Sequence, residues 1–401
     1  MTLERANKQS LMYNAKLWFT ILLALVWGKN TIFNYIIAVI SRFPLIGFVS
    51  ELVYPLCIIL CVVLALPYLK DKLKLQDFLI YFIMVAIILS TFVFHPENSE
   101  YLQEEYMDII SFMLFFFVGV CFDLEDNKNL LFWLSIIGIA LTFLYQAYSL
   151  GAGRKLEEDD MNTAYKVLPS IIYLIYYALL NKKFRFWLIA IIGIMLEFRQ
   201  GTRGPILCII VFLGVGIIYS IAKTENILKK LFGIILVGAA VIVLVFTDVL
   251  LNVAIILSDS FKEVGYSTRI FDMFIEGMIE DDSGRAIIQN KIISAIETSP
   301  AFGYGVFGDR LLIDGTYPHS LFLEIFCQFG IVVGGGLIIT LLFVFIDAIR
   351  KSNGFSERLF VFMLIIMVIV KLMLSSSYLY ETWLYFLIGV CLQIMRRKKN
   401  G

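Results

Sequence analysis

Five arginines and one histidine hold most of the chemistry available to this chain. Arg199 and Arg203 flank a glycine in Arg199-Gln-Gly-Thr-Arg203-Gly-Pro. Arg269, Arg285 and Arg310 follow in the longest polar stretch, and His319 stands at its end in Gly315-Thr-Tyr-Pro-His-Ser320. Guanidinium groups are planar forks that meet phosphate oxygens two at a time. Arg199 and Arg203 share a helical face if the preceding helix runs on by a turn, and sit on a tight loop if the glycines break it. Arg285 follows Ser283-Gly284 and heads an amphipathic segment, where free backbone N–H groups would also point at an anion. Each arginine alone is equally well a solvated or snorkelling side chain. Together on one side of a membrane they suggest a site for an anionic, lipid-borne group such as a pyrophosphate. A neutral imidazole at His319 could take a proton from an attacking hydroxyl. It could also orient a substrate as a donor, or be an interfacial residue without a role.

The elements that must position these groups are hydrophobic helices. The chain has 401 residues, of which 60% are hydrophobic and 16% charged. Soluble proteins carry roughly a quarter charged residues, so the composition predicts an all-α polytopic membrane protein. Runs of about 20 apolar residues give about twelve spans, near 17–37, 48–69, 77–94, 107–122, 130–150, 165–181, 184–198, 205–222, 231–251, 319–347, 358–375 and 378–395. Alternate loops collect lysine and arginine, from Arg5 and Lys8 to Arg396-Arg397-Lys398-Lys399. By the positive-inside rule that set is cytoplasmic, and with it both termini. The other side has short acidic loops and one large outer loop, 252–318, within a single integral membrane domain spanning 1–401. Two stripes in that loop, Ile270–Ile279 and Ile287–Ile296, have helical spacing and are expected to lie on the membrane surface or cap the bundle. The N-terminal apolar run is expected to be a retained first helix, not a cleaved signal.

Other features narrow the chemistry. The six cysteines all fall in apolar segments, which argues against a disulfide framework. Two histidines, His95 and His319, without zinc-type spacing give no reason to expect a metal. Glu280-Asp281-Asp282 is taken as a solvated turn. Glu197 and Glu324 lie near span ends, where an ionisable side chain is costly, and each is expected to pair with an outer arginine. Lys371 raises the same question, with snorkelling as the plain alternative, and Tyr165, Tyr266, Tyr304 and Tyr317 are taken as an interfacial aromatic belt. A formal net charge of +0 gives no reason to expect nucleic acid as a partner.

Several motifs resemble the O-antigen polymerase and O-antigen ligase superfamily of bacterial cell-envelope glycosyltransferases. They are Arg199-x-x-x-Arg203-Gly-Pro, Ser283-Gly284-Arg285, Ser299-Pro300-x-x-Gly303-Tyr-Gly305, and Tyr317-Pro318-His319-Ser320 ahead of a hydrophobic helix with Gly330. Two positions depart from the family pattern: Ser320 stands where asparagine is common, and Val333 takes a small-or-polar position. The resemblance implies a GT-C-like enzyme of the cytoplasmic (inner) membrane, with its active site at the outer boundary. It also implies an undecaprenyl-pyrophosphate-linked donor and no metal or other cofactor. The acceptor would be another lipid-linked repeat unit in a polymerase of O-antigen or capsule, or lipid A core in a ligase. Carried onto this chain, it makes Arg199 or Arg203 and Arg285 the pyrophosphate-holding arginines, and His319 the residue that activates the acceptor. It also implies a separate chain-length co-polymerase as partner. A flippase or secondary transporter is the alternative from another class. Such proteins bind at the bilayer midplane through interrupted, paired helices, and no paired repeat is evident here.

Overall fold

A computed structural model describes the chain apart from residues 1, 34, 37–43, 152–159, 201, 224–248, 264–267, 269–270, 273–274, 276–284 and 398–401. Among the described residues the regular structure is helical, with no strand. The helices are α1 (Thr2–Gly28), α2 (Pro44–Lys72), α3 (Leu75–Phe94), α4 (Ser99–Met113), α5 (Phe115–Cys121), α6 (Leu124–Gly151), α7 (Asp160–Asn181) and α8 (Phe184–Gln200). They continue with α9 (Arg203–Ala222), α10 (Val249–Glu263), α11 (Arg285–Thr298), α12 (Gly308–Leu312), α13 (Leu321–Lys351), α14 (Gly354–Leu374) and α15 (Thr382–Arg396). A π-helical turn, Lys29–Phe33, ends α1.

Among the described residues, seven helices are long and apolar enough to cross a membrane. These seven lie in α1 with its π turn, α2, α3, α6, α7, α9 and α13. The remaining expected spans fall short of that standard for visible reasons. The span at 107–122 is broken at Leu114 between α4 and α5. α8 has 17 residues and α15 has 15. α14 carries Glu357, Arg358 and Lys371. The expected span at 231–251 lies almost wholly outside the described residues.

The contacts gather into two compact units. Unit 1 holds Met1–Leu134 and Gly284–Gly401; unit 2 holds Ser135–Ser283. In unit 1, α15 crosses α5 with no room between the backbones. A Cβ at Gly119 would strike the Phe386 carbonyl, and one at Gly389 would strike the Phe116 carbonyl. Small residues permit such close helix crossings where lipid supplies no hydrophobic drive between helices. Phe122 stacks on Phe360 at 5.4 Å and meets Phe386 edge-on, joining α14 and α15 to the same core. At the other end of α15, Arg397 pairs with Glu357 at 2.5 Å and Arg396 with Asp77.

α13 is the exception to regular helix. At Gly330 the backbone takes φ 71° and ψ 172°, a region open only to glycine. The helix therefore consists of a short first section, Leu321–Phe329, and a long second one, which explains why the apolar run exceeds one crossing. The groups released by the break are taken up by the turn after α11. The Tyr304 and Gly305 N–H groups donate to the Cys327 and Gln328 carbonyls at 2.9 and 2.8 Å. The Ile331 N–H donates to the Pro300 carbonyl at 2.7 Å. Gly303, at φ 68°, lies so close that a Cβ there would press on the Gly330 nitrogen. The same turn is tied to α3 and α4. The Asn98 amide donates to the Tyr304 and Val306 carbonyls at 2.6 and 3.1 Å, and Thr91 Oγ1 accepts from the Val306 N–H at 3.1 Å.

Unit 2 is built around a hairpin of α7 and α8, joined by residues 182–183 with Lys182 at φ 53°. Val167, Ile171, Ile172, Tyr173, Ile175 and Tyr176 of α7 are fully buried. α8 crosses α7 and α6 at Gly193, whose missing Cβ would touch Ile171 and Ile139.

Gly330→Ala should lower the melting temperature of the detergent-solubilised protein by several degrees. Strain at such a backbone position costs about 1–3 kcal/mol, and the new Cβ would also strike the Ala301 carbonyl. Gly335→Ala, with nothing within 4 Å of its Cβ, should be neutral or slightly stabilising. Equal melting temperatures for Gly330→Ala and wild type would show that the break in α13 is not needed.

Candidate functional site

The turns of unit 1 bring Arg310, His319 and Glu324 together through unusual backbone. Phe307, Asp314 and His319 all have positive φ, at 65°, 54° and 54°. For a bulky side chain such as Phe307 that is a true outlier. Its effect is to start α12 so that Asp309 and Arg310 turn inward, 0% and 3% exposed. Arg310 Nη1 pairs with the Asp309 carboxylate and, at 2.9 Å, with Glu324 Oε1. Gln328 donates to Asp309 Oδ1 at 2.7 Å, and Tyr378 donates to the Gln328 Oε1 at 2.5 Å. Ser377 donates to Glu324 Oε1 at 2.5 Å. The first section of α13 thus supplies Glu324 and Gln328, one turn apart, and the turn between α14 and α15 supplies Ser377 and Tyr378.

Two carboxylates surround one guanidinium here. Burial opposes the Arg310 charge, but Asp309 and Glu324 outweigh it and raise the pKa above its ordinary value. Burial raises the Asp309 pKa, against the pull of Arg310 and Gln328. Arg310 Nη2 remains buried without a hydrogen-bond partner. Of the two acid–arginine pairs expected from sequence, Glu324 with Arg310 is formed. Glu197, in unit 2, is fully buried with the Thr202 hydroxyl beside its carboxylate.

His319 lies beside this cluster. Its ring sits 4.3 Å from that of Tyr317, whose other neighbour is the Arg310 guanidinium at 5.6 Å from the ring centre. Tyr317 is not merely an interfacial side chain: its hydroxyl donates to the Ser375 carbonyl at 2.8 Å, fixing the ring. Gln289, on α11, donates to the Pro318 carbonyl at 3.4 Å. The His319 pKa is lowered, first by burial and then by the charges of Arg285 and Arg310. The imidazole is therefore neutral near pH 7, and its Nδ1 has no hydrogen-bond partner. Arg285, half-buried, opens α11, whose Ile292 and Ile296 pack with Ile313 and Cys327. That packing holds the Arg285 end of α11 near His319.

The other sequence-derived arginines are placed differently. Arg199 ends α8 and is buried, whereas Arg203 begins α9 and is exposed. The two do not share one helical face, because the chain leaves the helix between them. Both belong to unit 2. Arg269, most of the first amphipathic stripe, Tyr266 and the acidic run 280–282 lie outside the described residues. The second stripe is helical as expected, in α11. Tyr304 bonds Thr298 and the Ala295 carbonyl, a structural use. Asp309, Gln328, Ser377 and Tyr378 were not singled out from sequence. Only the adjacency Asp309-Arg310 hinted at them.

Residues 188–338 match the family model described as O-antigen ligase. The resemblance to the O-antigen polymerase and ligase superfamily therefore holds for the segment carrying all five arginines and His319. No curated protein and no solved structure gives a significant match. Its apolar helices together with this match point to a multi-pass membrane protein.

The electrostatics of His319 can be checked directly. With labelled histidine, the His319 resonance should titrate below the ordinary histidine range, and Arg285→Ala should move its midpoint upward. The sign follows from removing a positive charge that disfavours the imidazolium. An unchanged midpoint would separate Arg285 from His319. Breaking the buried pair by Arg310→Ala should cost about 3–5 kcal/mol, because two carboxylates lose their partner; thermal unfolding would measure it.

Proposed function

We propose that this protein polymerises undecaprenyl-pyrophosphate-linked oligosaccharide repeat units into a surface polysaccharide, O-antigen or capsule. It would act at the outer face of the cytoplasmic membrane, with about twelve crossings in a GT-C-like arrangement and both termini inside. The observation that carries this is the placement of His319: left-handed backbone holds its ring 4.3 Å from that of Tyr317, which in turn lies against the Arg310 guanidinium.

The chemistry follows from those groups. The acceptor hydroxyl attacks the anomeric carbon and gives its proton to His319. The bond from that carbon to the pyrophosphate oxygen breaks, and the pyrophosphate leaves with the electron pair. A single displacement inverts the anomeric centre. Developing charge on the leaving group is met by Arg285, and such preorganised donors are commonly the largest catalytic term. In this scheme Arg310 is a positioning residue: Asp309 and Glu324 match its charge, and it holds Tyr317 against His319. Arg199, Arg203 and Arg269 are proposed as further pyrophosphate-binding arginines. No metal takes part. Donor and acceptor are lipid-linked oligosaccharides, the surroundings are membrane lipid, and a chain-length co-polymerase is the expected protein partner.

A ligase that transfers the glycan to lipid A core shares the donor chemistry and is the second reading, since the matching family model is described as O-antigen ligase. The purified protein, given an undecaprenyl-pyrophosphate-linked repeat unit and a chelator, should produce a ladder of longer lipid-linked glycans. Product formed only after lipid A core is added would make it a ligase. No product from folded protein in either case would favour a flippase or transporter. Arg285→Ala should reduce turnover by roughly 10²–10³-fold, the usual loss for one such donor. Arg203→Lys should fail to restore activity, because a point charge cannot supply a bidentate fork.

A further inference from the structure

Unit 2 contains a concentration of buried polar atoms that the protein itself does not satisfy. They lie at the end of α8 and the start of α9. The Thr202 hydroxyl faces the Glu197 carboxylate, which leaves one Glu197 oxygen and both polar atoms of the Gln200 amide buried without a hydrogen-bond partner. Glu197 is 0% exposed and Gln200 2% exposed. On α8 they continue the buried stripe of Ala190 and Gly193, three and four residues apart, so both side chains leave the helix on one face. Gly193 on that stripe touches Ile139 of α6, and two turns further along α6 the Gln146 Oε1 is likewise buried and unpartnered.

A buried polar atom without a partner costs about 1–3 kcal/mol. Several together on one short stretch mark a place completed by something outside the protein. The donor set says what kind of molecule that is. A carboxylate only accepts, an amide donates and accepts, and a hydroxyl does both. An anion alone would be met by Arg199 but would leave the Glu197 carboxylate and the Gln200 amide without a complementary group. A lipid tail would leave every group unsatisfied. A metal would find only one carboxylate. A neutral molecule dense in hydroxyl groups matches all of them.

We propose that Glu197, Gln200 and Thr202 form a subsite for the saccharide part of the lipid-linked substrate, recognised through its hydroxyl groups. This rests on the glycosyl-transfer function proposed above. The same turn carries Arg199 and Arg203, so unit 2 offers groups for a sugar and for the phosphate bonded to it within a few residues.

The test compares two ligands on full-length protein in nanodiscs: undecaprenyl pyrophosphate, and the lipid-linked repeat unit extracted from the producing cells. Wild-type protein should bind the glycan-bearing lipid at least tenfold more tightly. Glu197→Met combined with Gln200→Leu should abolish that preference while leaving the affinity for undecaprenyl pyrophosphate unchanged. A folded variant that keeps the preference overturns the subsite. Its melting temperature without ligand should match or exceed that of wild type, because apolar replacements remove unpaired groups. A marked drop would mean that these groups are bonded within the protein, and would overturn the subsite. If the variant does not fold, hydrogen exchange on wild type decides. Protection of residues 195–205 by the glycan-bearing lipid alone supports the subsite, and equal protection by both lipids refutes it. Wild-type protein that binds undecaprenyl pyrophosphate but shows no glycan preference removes only this inference. Protein that binds neither lipid removes the proposed function as well.

Discussion

Unit 1 depends on one exchange of backbone hydrogen bonds. α13 must stop at Gly330, and a broken helix inside an apolar body leaves carbonyl and N–H groups that lipid cannot satisfy. The turn from Pro300 to Gly305 supplies those partners from its own main chain. Because the turn is also held by Asn98 and Thr91, the exchange locks the regions around α3, α11 and α13 together. Two glycines make the approach possible: a Cβ on Gly303 would strike the Gly330 nitrogen, and one on Gly330 would strike the Ala301 carbonyl.

From that frame the placement of the chemical groups follows. The first section of α13 is too short to be a crossing helix, but it is long enough to aim Glu324 and Gln328 at Asp309 and Arg310. The ion pair is buried, so its net worth to stability is small even though losing one partner is expensive. Its value lies in direction. With its charge balanced by carboxylates, the Arg310 guanidinium stays beside Tyr317, and Tyr317 stays beside His319. Arg285 reaches the same neighbourhood from α11, through the packing of Ile292 and Ile296. A histidine whose charged form is disfavoured by burial and then by nearby cations is suited to accept a proton at the moment a hydroxyl attacks.

Unit 2 contrasts with this. Its hairpin is closely packed along α7, yet its polar end is less complete: Glu197 has Thr202 beside it and the Gln200 amide has no hydrogen-bond partner, whereas Glu324 accepts from Arg310, Ser377 and the Tyr378 N–H. Carboxylates at similar positions near helix ends thus have different circumstances. The difference comes from what the neighbouring turns offer, and nothing in the two local sequences foretells it.

The sequence by itself determined the helical membrane class, the segment that matches the O-antigen ligase family and the residue types able to hold a pyrophosphate. Apolar run length, the side on which lysine and arginine collect, and short motifs are local properties that survive without a fold. The pairing of Glu324 with an arginine was also legible, because a lone carboxylate near a span end needs a counter-charge. Tertiary structure decided the rest. Whether Arg199 and Arg203 share a face depended on where α8 ends. The apolar run at 319–347 is too long for one crossing by its sequence, but the break at Gly330 depends on hydrogen bonds to residues 23–31 positions earlier in the chain. Asp309, Gln328, Ser377 and Tyr378 are ordinary in sequence and become a network only when α12, the first section of α13 and the turn between α14 and α15 meet. Tyr317 likewise gains its place from Arg310 and Ser375, contacts made across sequence distance that no local pattern encodes.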